Sequence, residues 1–293
     1  MLSREQTDFY RENGYLLVED AVPPALIEEA RAAVAELVAA SRFVKTSDER
    51  YDLEDTHTAA NPRVRRIKEP HTAHPVFERL LRGDLLVDAV ADLLGPNIRF
   101  QHTKLNIKPG HGGEAVEWHQ DWAFYPHTND DILEVGVMLD DCTPENGPLL
   151  VIPGSHRGPI HNHHFDGCFA GAIDLTASEI GADRAVPLLG KAGSITLHHV
   201  RMVHGSEANN SDRDRRLLLY GYAAADAWML PAHLYPGLEA YEAQMVRGRS
   251  TLEPRLEAVP VRMPYPLAPN QGSIFENQRL VRGRSFGAAG GMR

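Results

Sequence analysis

Asn146-Gly147-Pro148-Leu149-Leu150-Val151-Ile152-Pro153-Gly154 reads as one short strand between two tight turns: Asn-Gly enters it, Pro-Gly ends it, and four apolar residues lie between. The same rhythm extends in both directions. Phe100 to Ile107 is a strand closed by Pro109-Gly110, Ile132 to Leu139 is another, and strands return at Ser194 to Leu197 and Arg216 to Tyr222. Short strands punctuated by Gly, Pro and Asn predict a mainly β protein over about residues 98–225. The expected core is a double-stranded β-helix, jelly-roll and cupin-like, with flanking helices. Residues 161–190 break the rhythm as a long insertion, a candidate lid.

The part before this core, about residues 1–97, reads as mainly helical. Ser3 caps a helix carrying Phe9 and Tyr10, and Tyr15 to Val18 looks like a strand. Pro23-Pro24 opens a second helix with Leu26, Ala30, Val34, Leu37 and Val38 on one face. Thr46 to Pro70 is polar and irregular, and Val76 to Leu94 gives two helical pieces broken near Gly83. Residues 226–293 form a C-terminal extension, whose last stretch from Gln278 reads as a frayed tail rather than a basic arm. No repeat or Gly/Ser-rich linker divides the chain, so 1–293 is expected to be a single domain.

The composition, 43% hydrophobic and 24% charged, supports a packed core. A net charge of −10 disfavours a nucleic-acid partner, because an acidic surface repels phosphates. Two cysteines, Cys142 and Cys168, make no disulfide framework. No signal-like or membrane-spanning apolar run is present, so a cytoplasmic location and no membrane partner are expected. Eleven of the fifteen histidines fall between His102 and His204, which makes that segment the place to look for chemistry.

Within it, His119 and Asp121 stand two apart in Trp118-His119-Gln120-Asp121-Trp122, and His204 follows far downstream in Val203-His204-Gly205-Ser206. One segment supplying a histidine and a carboxylate, with a second histidine from another strand, makes a 2-His-1-carboxylate set. Such a set suits Fe(II) and leaves adjacent positions open. A lone H-x-D triplet is a weak sign, and His164-Phe165-Asp166 is a second one, without a preceding strand. What favours the first is Arg215, eleven residues beyond His204. A hairpin there returns its guanidinium beside the metal on the neighbouring strand, placed to grip a carboxylate with two parallel hydrogen bonds. The plainer reading of Arg215 is a solvated charge in a turn.

Three runs together resemble the phytanoyl-CoA dioxygenase family: residues 118–122, the block 146–156 ending in Ser155-His156, and His204-Gly205-Ser206 continuing through Asn209 and Ser211 to Arg215-Arg216. The similarity extends from about Phe9 to Tyr222. It implies iron ligation by His119, Asp121 and His204, and 2-oxoglutarate held at its distal carboxylate by Arg215 with help from Ser206. Lys104 falls where the family often contacts the co-substrate. The implied activity is Fe(II)- and 2-oxoglutarate-dependent oxidation of a small molecule, most simply hydroxylation of an aliphatic C–H bond, consuming O2 and releasing succinate and CO2. Related halogenases replace the carboxylate ligand with a small residue, and Asp121 retains it.

Two rival readings stay open on sequence: a cupin-like metal enzyme that does not use 2-oxoglutarate, and a jelly-roll binding module without activity. Trp122, Phe124 and Tyr125 fit a substrate wall or core packing equally. His198 reads as a strand-surface residue or as one that lines the pocket, and Glu134 as a strand-edge charge; Arg63, Arg65, Arg66 and Lys68 read as a solvated face paired with nearby acids or as a basic stretch that meets an anionic substrate such as a carboxylate or an acyl-CoA.

Overall fold

Ser3 opens the chain with a reciprocal cap: its hydroxyl accepts from the Gln6 N–H while the Gln6 side chain accepts from the Ser3 N–H. This begins α1 (Arg4–Asn13), which Gly14 ends at φ 79°, the left-handed conformation that closes helices. The computed structural model describes residues 1–231, 235–268, 272–281 and 284–286. After α1 come β1 (Tyr15–Val18), α2 (Pro24–Ala40), β2 (Tyr51–Leu53), β3 (Val64–Lys68), α3 (Pro75–Arg82) and α4 (Asp84–Leu94). Then follow β4 (Ile98–Lys108), β5 (Val116–His119), β6 (Ile132–Met138), β7 (Leu149–Val151), β8 (His164–Phe165), β9 (Cys168–Phe169) and β10 (Val186–Leu188). The remainder is β11 (Ile195–His199), β12 (His204–Ser206), β13 (Arg215–Ala224), α5 (Leu238–Glu242), β14 (Met245–Arg247) and α6 (Ile274–Asn277).

The strands form two antiparallel sheets and a ribbon. The larger sheet runs β1-β11-β6-β13-β4-β3-β2, with β14 also pairing β4. The smaller runs β10-β7-β12-β5, and β8 and β9 make the ribbon. This is the mainly β, jelly-roll-like architecture expected, with α2, α3 and α4 packed on one face of the large sheet.

Period-2 alternation sorts the large sheet's side chains between a greasy side and a polar one. Leu105 and Ile107 of β4, Val135 and Val137 of β6, and Leu218, Tyr220 and Tyr222 of β13 are buried in one cluster with Ile27 and Ala30 of α2, Phe77 and Leu81 of α3, and Val90 of α4. The two tyrosine hydroxyls, which would be costly to bury unpaired, donate to the Phe77 and Leu81 carbonyls at 2.8 and 2.7 Å. The alternate residues of the same strands, among them Lys104, Asn106, Arg215, Leu217 and Leu219, turn the other way and line a cavity.

Several expectations need correction. Residues 46–70 are not irregular: they contribute β2 and β3, so the N-terminal part adds three strands to the large sheet besides its helices. Alternation there is too short to register in a polar run. The basic stretch pairs with nearby acids as expected, but it is not solvated throughout. Arg65 is buried between Glu114 and Glu276 at 2.8 and 2.9 Å, while Arg63 pairs with Glu54 and Lys68 with Asp52. In the 161–190 insertion, Asp166 and Gly167 (φ 48° and 79°) form the turn of the β8–β9 ribbon. Asp-Gly is a strong signal for such a turn. No residue of 161–190 lines the cavity, whereas Ser273, Ile274 and Phe275 of the C-terminal extension do. Nor is the start of the last stretch frayed. Gln278 is buried against β5, donating to the Ala115 carbonyl and accepting from the Glu117 N–H, each at 3.0 Å. Residues 282–283 and 287–293 of that stretch lie outside the described residues.

Candidate metal centre

β5 ends at His119, and β12 begins at His204 directly opposite it, with ring centroids 4.0 Å apart. Immediately after β5 a single 3-10 turn, Asp121–Ala123, swings the Asp121 carboxylate back toward both rings. Gln120, between the two, points away. Its side chain donates to the Pro159 and Arg201 carbonyls and accepts from the His161 N–H, so the turn is stapled on both sides. Trp122, fully buried, anchors the far side with its indole N–H on the Pro260 carbonyl at 2.8 Å.

One ligating atom from each of His119, Asp121 and His204 lies within 4.8 Å of the others, and all three residues are buried. His119 Nε2 is 3.8 Å from Asp121 Oδ1, and His204 Nε2 is 3.7 Å from Oδ2. Each imidazole is fixed from behind. His119 Nδ1–H donates to the Glu117 carbonyl at 2.8 Å and His204 Nδ1–H to that of Met202 at 3.0 Å, leaving both Nε2 lone pairs facing the centre. Asp121 Oδ2 is buried with no hydrogen-bond partner among the described residues.

The ionisation of the group suits a cation. Burial pushes His119 well below the usual imidazole range, with His204 adding to the shift, and burial brings His204 down to about 4. Burial alone would raise the Asp121 carboxyl; Lys104, His204, His198 and His119 outweigh it and hold the group well below the usual range. Two neutral imidazoles and a carboxylate oxygen without a hydrogen-bond partner converge on one point, an arrangement that a divalent metal would satisfy. All-N/O donors without thiolate fit Fe(II). The second triplet, His164-Phe165-Asp166, joins no such group among the described residues.

The cavity beside this centre has a volume of about 330 Å³. Arg215 and Ser206 line it together, both buried. The hairpin expected between His204 and Arg215 is absent. β12 belongs to the small sheet and β13 to the large one, so the chain crosses the sandwich and delivers Arg215 from the opposite wall. Its Nη2 donates to the Gly147 carbonyl, and Nε has no partner among the described residues. Arg215 sits opposite Lys108 in the register, and Lys108 Nζ is occupied by the Ser206 and Glu207 carbonyls. Lys104 lines the cavity with Nζ 3.9 Å from Asp121 Oδ1 and 4.0 Å from Glu134 Oε2.

Three residues carry more than the sequence suggested. His198 is buried, lines the cavity and lies 3.6 Å from Asp121 Oδ2, with neither ring nitrogen hydrogen-bonded among the described residues. It faces inward because Leu197, its neighbour on β11, faces the core. Glu134 is no edge charge: β6 lies between β11 and β13, and the carboxylate is buried 2.7 Å from His102 Nε2. His102 itself lines the cavity.

His163, in the insertion, accepts the Gln120 N–H on Nε2 at 3.0 Å and donates Nδ1–H to the His161 carbonyl. Burial pushes it down to about 3, and does the same to His127 and His199. In the unfolded chain such a side chain titrates near its ordinary 6.5, so as pH falls below that value the unfolded state takes up protons that the fold refuses. Stability is then lost by up to about 1.4 kcal/mol per pH unit for each histidine. The melting temperature should fall steeply on acidification below pH 6.5, and H163Q should show a shallower fall. Equal slopes in thermal melts of the two proteins would rule out this role for His163.

Residues 10–217 match the model of the phytanoyl-CoA dioxygenase family. The chain is 39% identical over 281 residues to a protein of Stutzerimonas stutzeri named "probable alpha-ketoglutarate-dependent hypophosphite dioxygenase", covering 94% of this chain and 97% of that one. It is 28% identical to the ectoine dioxygenase of Bordetella parapertussis, covering 78% of each. The iron-bound structure of EctD from S. alaskensis superimposes with a TM-score of 0.65 at 27% identity, over 76% of this chain and 77% of that one. The same protein with 2-oxoglutarate and 5-hydroxyectoine gives 0.61 over the same shares.

Proposed function

Since the chain belongs to the phytanoyl-CoA dioxygenase family, we propose that His119, Asp121 and His204 hold its iron and that Arg215, with Ser206 and Lys104, holds its 2-oxoglutarate. The protein is an Fe(II)- and 2-oxoglutarate-dependent dioxygenase that oxidises a small-molecule substrate. The observation that carries the residue assignment is the convergence, within 4.8 Å, of two back-bonded imidazoles and a carboxylate whose oxygen lacks a partner. A buried arginine in the same cavity completes it.

Bound there, Fe(II) with 2-oxoglutarate supplies the activation of O2 that oxidises the substrate, with release of succinate and CO2. The chain's own part is positional. Burial keeps both ligand imidazoles neutral, and the Nδ1–H bonds to the Glu117 and Met202 carbonyls hold them correctly turned. Arg215 offers a planar fork to the co-substrate's distal carboxylate from a site where burial strengthens the contact. Ser206 stands beside it, and Lys104 offers its ammonium at the metal's flank. Leu217, Leu219 and Phe275 exclude water from the space between.

At about 330 Å³ the cavity is at the small end for ligand pockets and must seat co-substrate and substrate together. This supports a small polar substrate over a long acyl chain, with hypophosphite, ectoine and L-proline, the substrates in the relatives' names, as the first to test. Hydroxylation is the reaction proposed for a carbon substrate. We read the whole chain as one catalytic unit, supported by the end-to-end match to the S. stutzeri protein. Among the described residues no helix is long and apolar enough to cross a membrane, and a cytoplasmic location is proposed. The test is stoichiometry: succinate and oxidised substrate should form in equal amounts. Oxidation without consumption of 2-oxoglutarate would favour the cupin-like alternative.

A further inference from the structure

Among the described residues, Phe275 is the one side chain common to the linings of two cavities. On one side of it lies the metal chamber of about 330 Å³. On the other lies a polar cavity of about 830 Å³, bordered by Glu54, Glu114, Glu117, Arg279 and Arg284. Although Phe275 stands between two spaces, it is only 2% exposed, so it is packed in place as a partition.

The contacts of its segment explain the packing. Val116 of β5, Phe124 and Ile274 cluster with the ring, and the guanidinium carbons of Arg65 and Arg66 lie 5.7 and 5.2 Å from its centroid, within cation–π reach. The next residue, Glu276, is tied to the buried Arg65 at 2.9 Å. Gln278 then bonds the Ala115 carbonyl and the Glu117 N–H along β5, an edge strand of the small sheet that would otherwise stand open. Further on, the Ser285 N–H donates to the Glu117 carboxylate at 2.9 Å, and Phe286 packs on Trp118. The strand that ends in His119 therefore also supports the partition.

Every residue proposed for iron and co-substrate falls within the matched stretch 10–217, whereas Ser273, Ile274 and Phe275 lie beyond it. They give the chamber a wall that the cofactor sites do not need. Once 2-oxoglutarate occupies part of about 330 Å³, little space is left, and the ring separates that space from a cavity more than twice as large.

We propose that Phe275 is a specificity-determining residue: its ring closes the metal chamber against the outer cavity and so limits the size of the substrate that fits beside the metal. Glu276 is a positioning residue, which holds the ring in place through Arg65. The proposal rests on the metal and co-substrate sites proposed above.

The test is calorimetric titration of the anaerobic protein loaded with Fe(II) and 2-oxoglutarate. The titrants are hypophosphite, phenylphosphinate (the same anion with a phenyl ring in place of one hydrogen) and benzene, which needs only an apolar space of ring size. Wild type should prefer hypophosphite to phenylphosphinate by at least about tenfold, since even one surplus methylene can cost that much in a closed pocket, and should take up no benzene. In F275A the preference should fall by at least about tenfold, and benzene should bind in competition with phenylphosphinate. E276Q should shift the preference in the same direction by less. Iron stoichiometry and 2-oxoglutarate affinity should stay as in wild type, whereas a merely structural role would weaken both phosphinates alike. F275L keeps an apolar side chain and should lower the preference part-way, which covers an F275A protein that does not fold. An unchanged preference in F275A, or in F275L where F275A does not fold, would overturn the proposal, as would loss of iron and 2-oxoglutarate with the ring. Should wild type bind neither phosphinate, benzene decides. Uptake by F275A alone, with a shift of the visible band of the Fe(II)–2-oxoglutarate complex, supports the partition, and no uptake or an unshifted band overturns it. Failure of wild type to take up 2-oxoglutarate would instead contradict the co-substrate site, and benzene titration of the Fe(II)-loaded proteins would still judge the partition.

Discussion

Replacing Arg215 with alanine should raise the 2-oxoglutarate concentration needed for half-saturation by about a hundredfold while leaving iron binding intact. A guanidinium gripping a carboxylate makes two charge-assisted hydrogen bonds, and losing such a pair costs about 3 kcal/mol, or two powers of ten in affinity. Arg215 is well placed for the full effect: it is buried, lines the cavity, and has its Nε without a partner among the described residues. R215K should fall between, because lysine keeps the charge but loses the planar fork. Part of the alanine effect could come from the fold, since Arg215 also supports the Gly147 carbonyl. Thermal melts of both variants separate the two causes. An R215A protein that melts like wild type and saturates at the same 2-oxoglutarate concentration would leave Arg215 a structural part only.

The second large effect concerns the ligands. H119A should lose stoichiometric iron and at least about a thousandfold in turnover, given that even the outer partners of metal ligands are worth 10–100-fold. The informative contrast is His198, which stands 3.6 Å from Asp121 Oδ2, comparable to the distances of His119 and His204 from the same carboxylate. The two proposed ligand histidines have Nδ1–H tied to a carbonyl, whereas neither nitrogen of His198 is tied among the described residues. H198A should therefore keep one iron per chain. Loss of iron in H198A but not in H119A, measured by metal analysis after desalting, would exchange their roles.

Much of this was legible in the sequence because the signals were local. The strands of the core announced themselves through alternation and turn residues, and His119, Asp121 and His204 through spacing. What escaped depended on register. Glu134 interrupts Ile132-Leu133-Glu134-Val135-Gly136-Val137, and a single acid in such a run fits an edge or a buried site equally. Only the pairing of β6 with both β11 and β13 decides between them. His102 was within reach, since Lys104 was singled out and alternation puts 102 on the same face of β4. Arg215 was found for a partly mistaken reason: the distance from His204 suits a hairpin, yet the segment crosses between sheets. The spacing constrains only how far the chain can travel. Ile274 and Phe275 carried no periodic signal, because they reach the cavity from a short helix docked through Arg65–Glu276 and Gln278.

The central claim is that one iron and one 2-oxoglutarate meet at the centre made by His119, Asp121 and His204. Anaerobic absorption titration of the metal-free protein tests it most directly, with Fe(II) added to saturation and 2-oxoglutarate thereafter. A weak visible charge-transfer band that grows with 2-oxoglutarate and saturates at one equivalent per chain is the predicted result. Iron bound at one per chain with no band at any 2-oxoglutarate concentration would contradict the account.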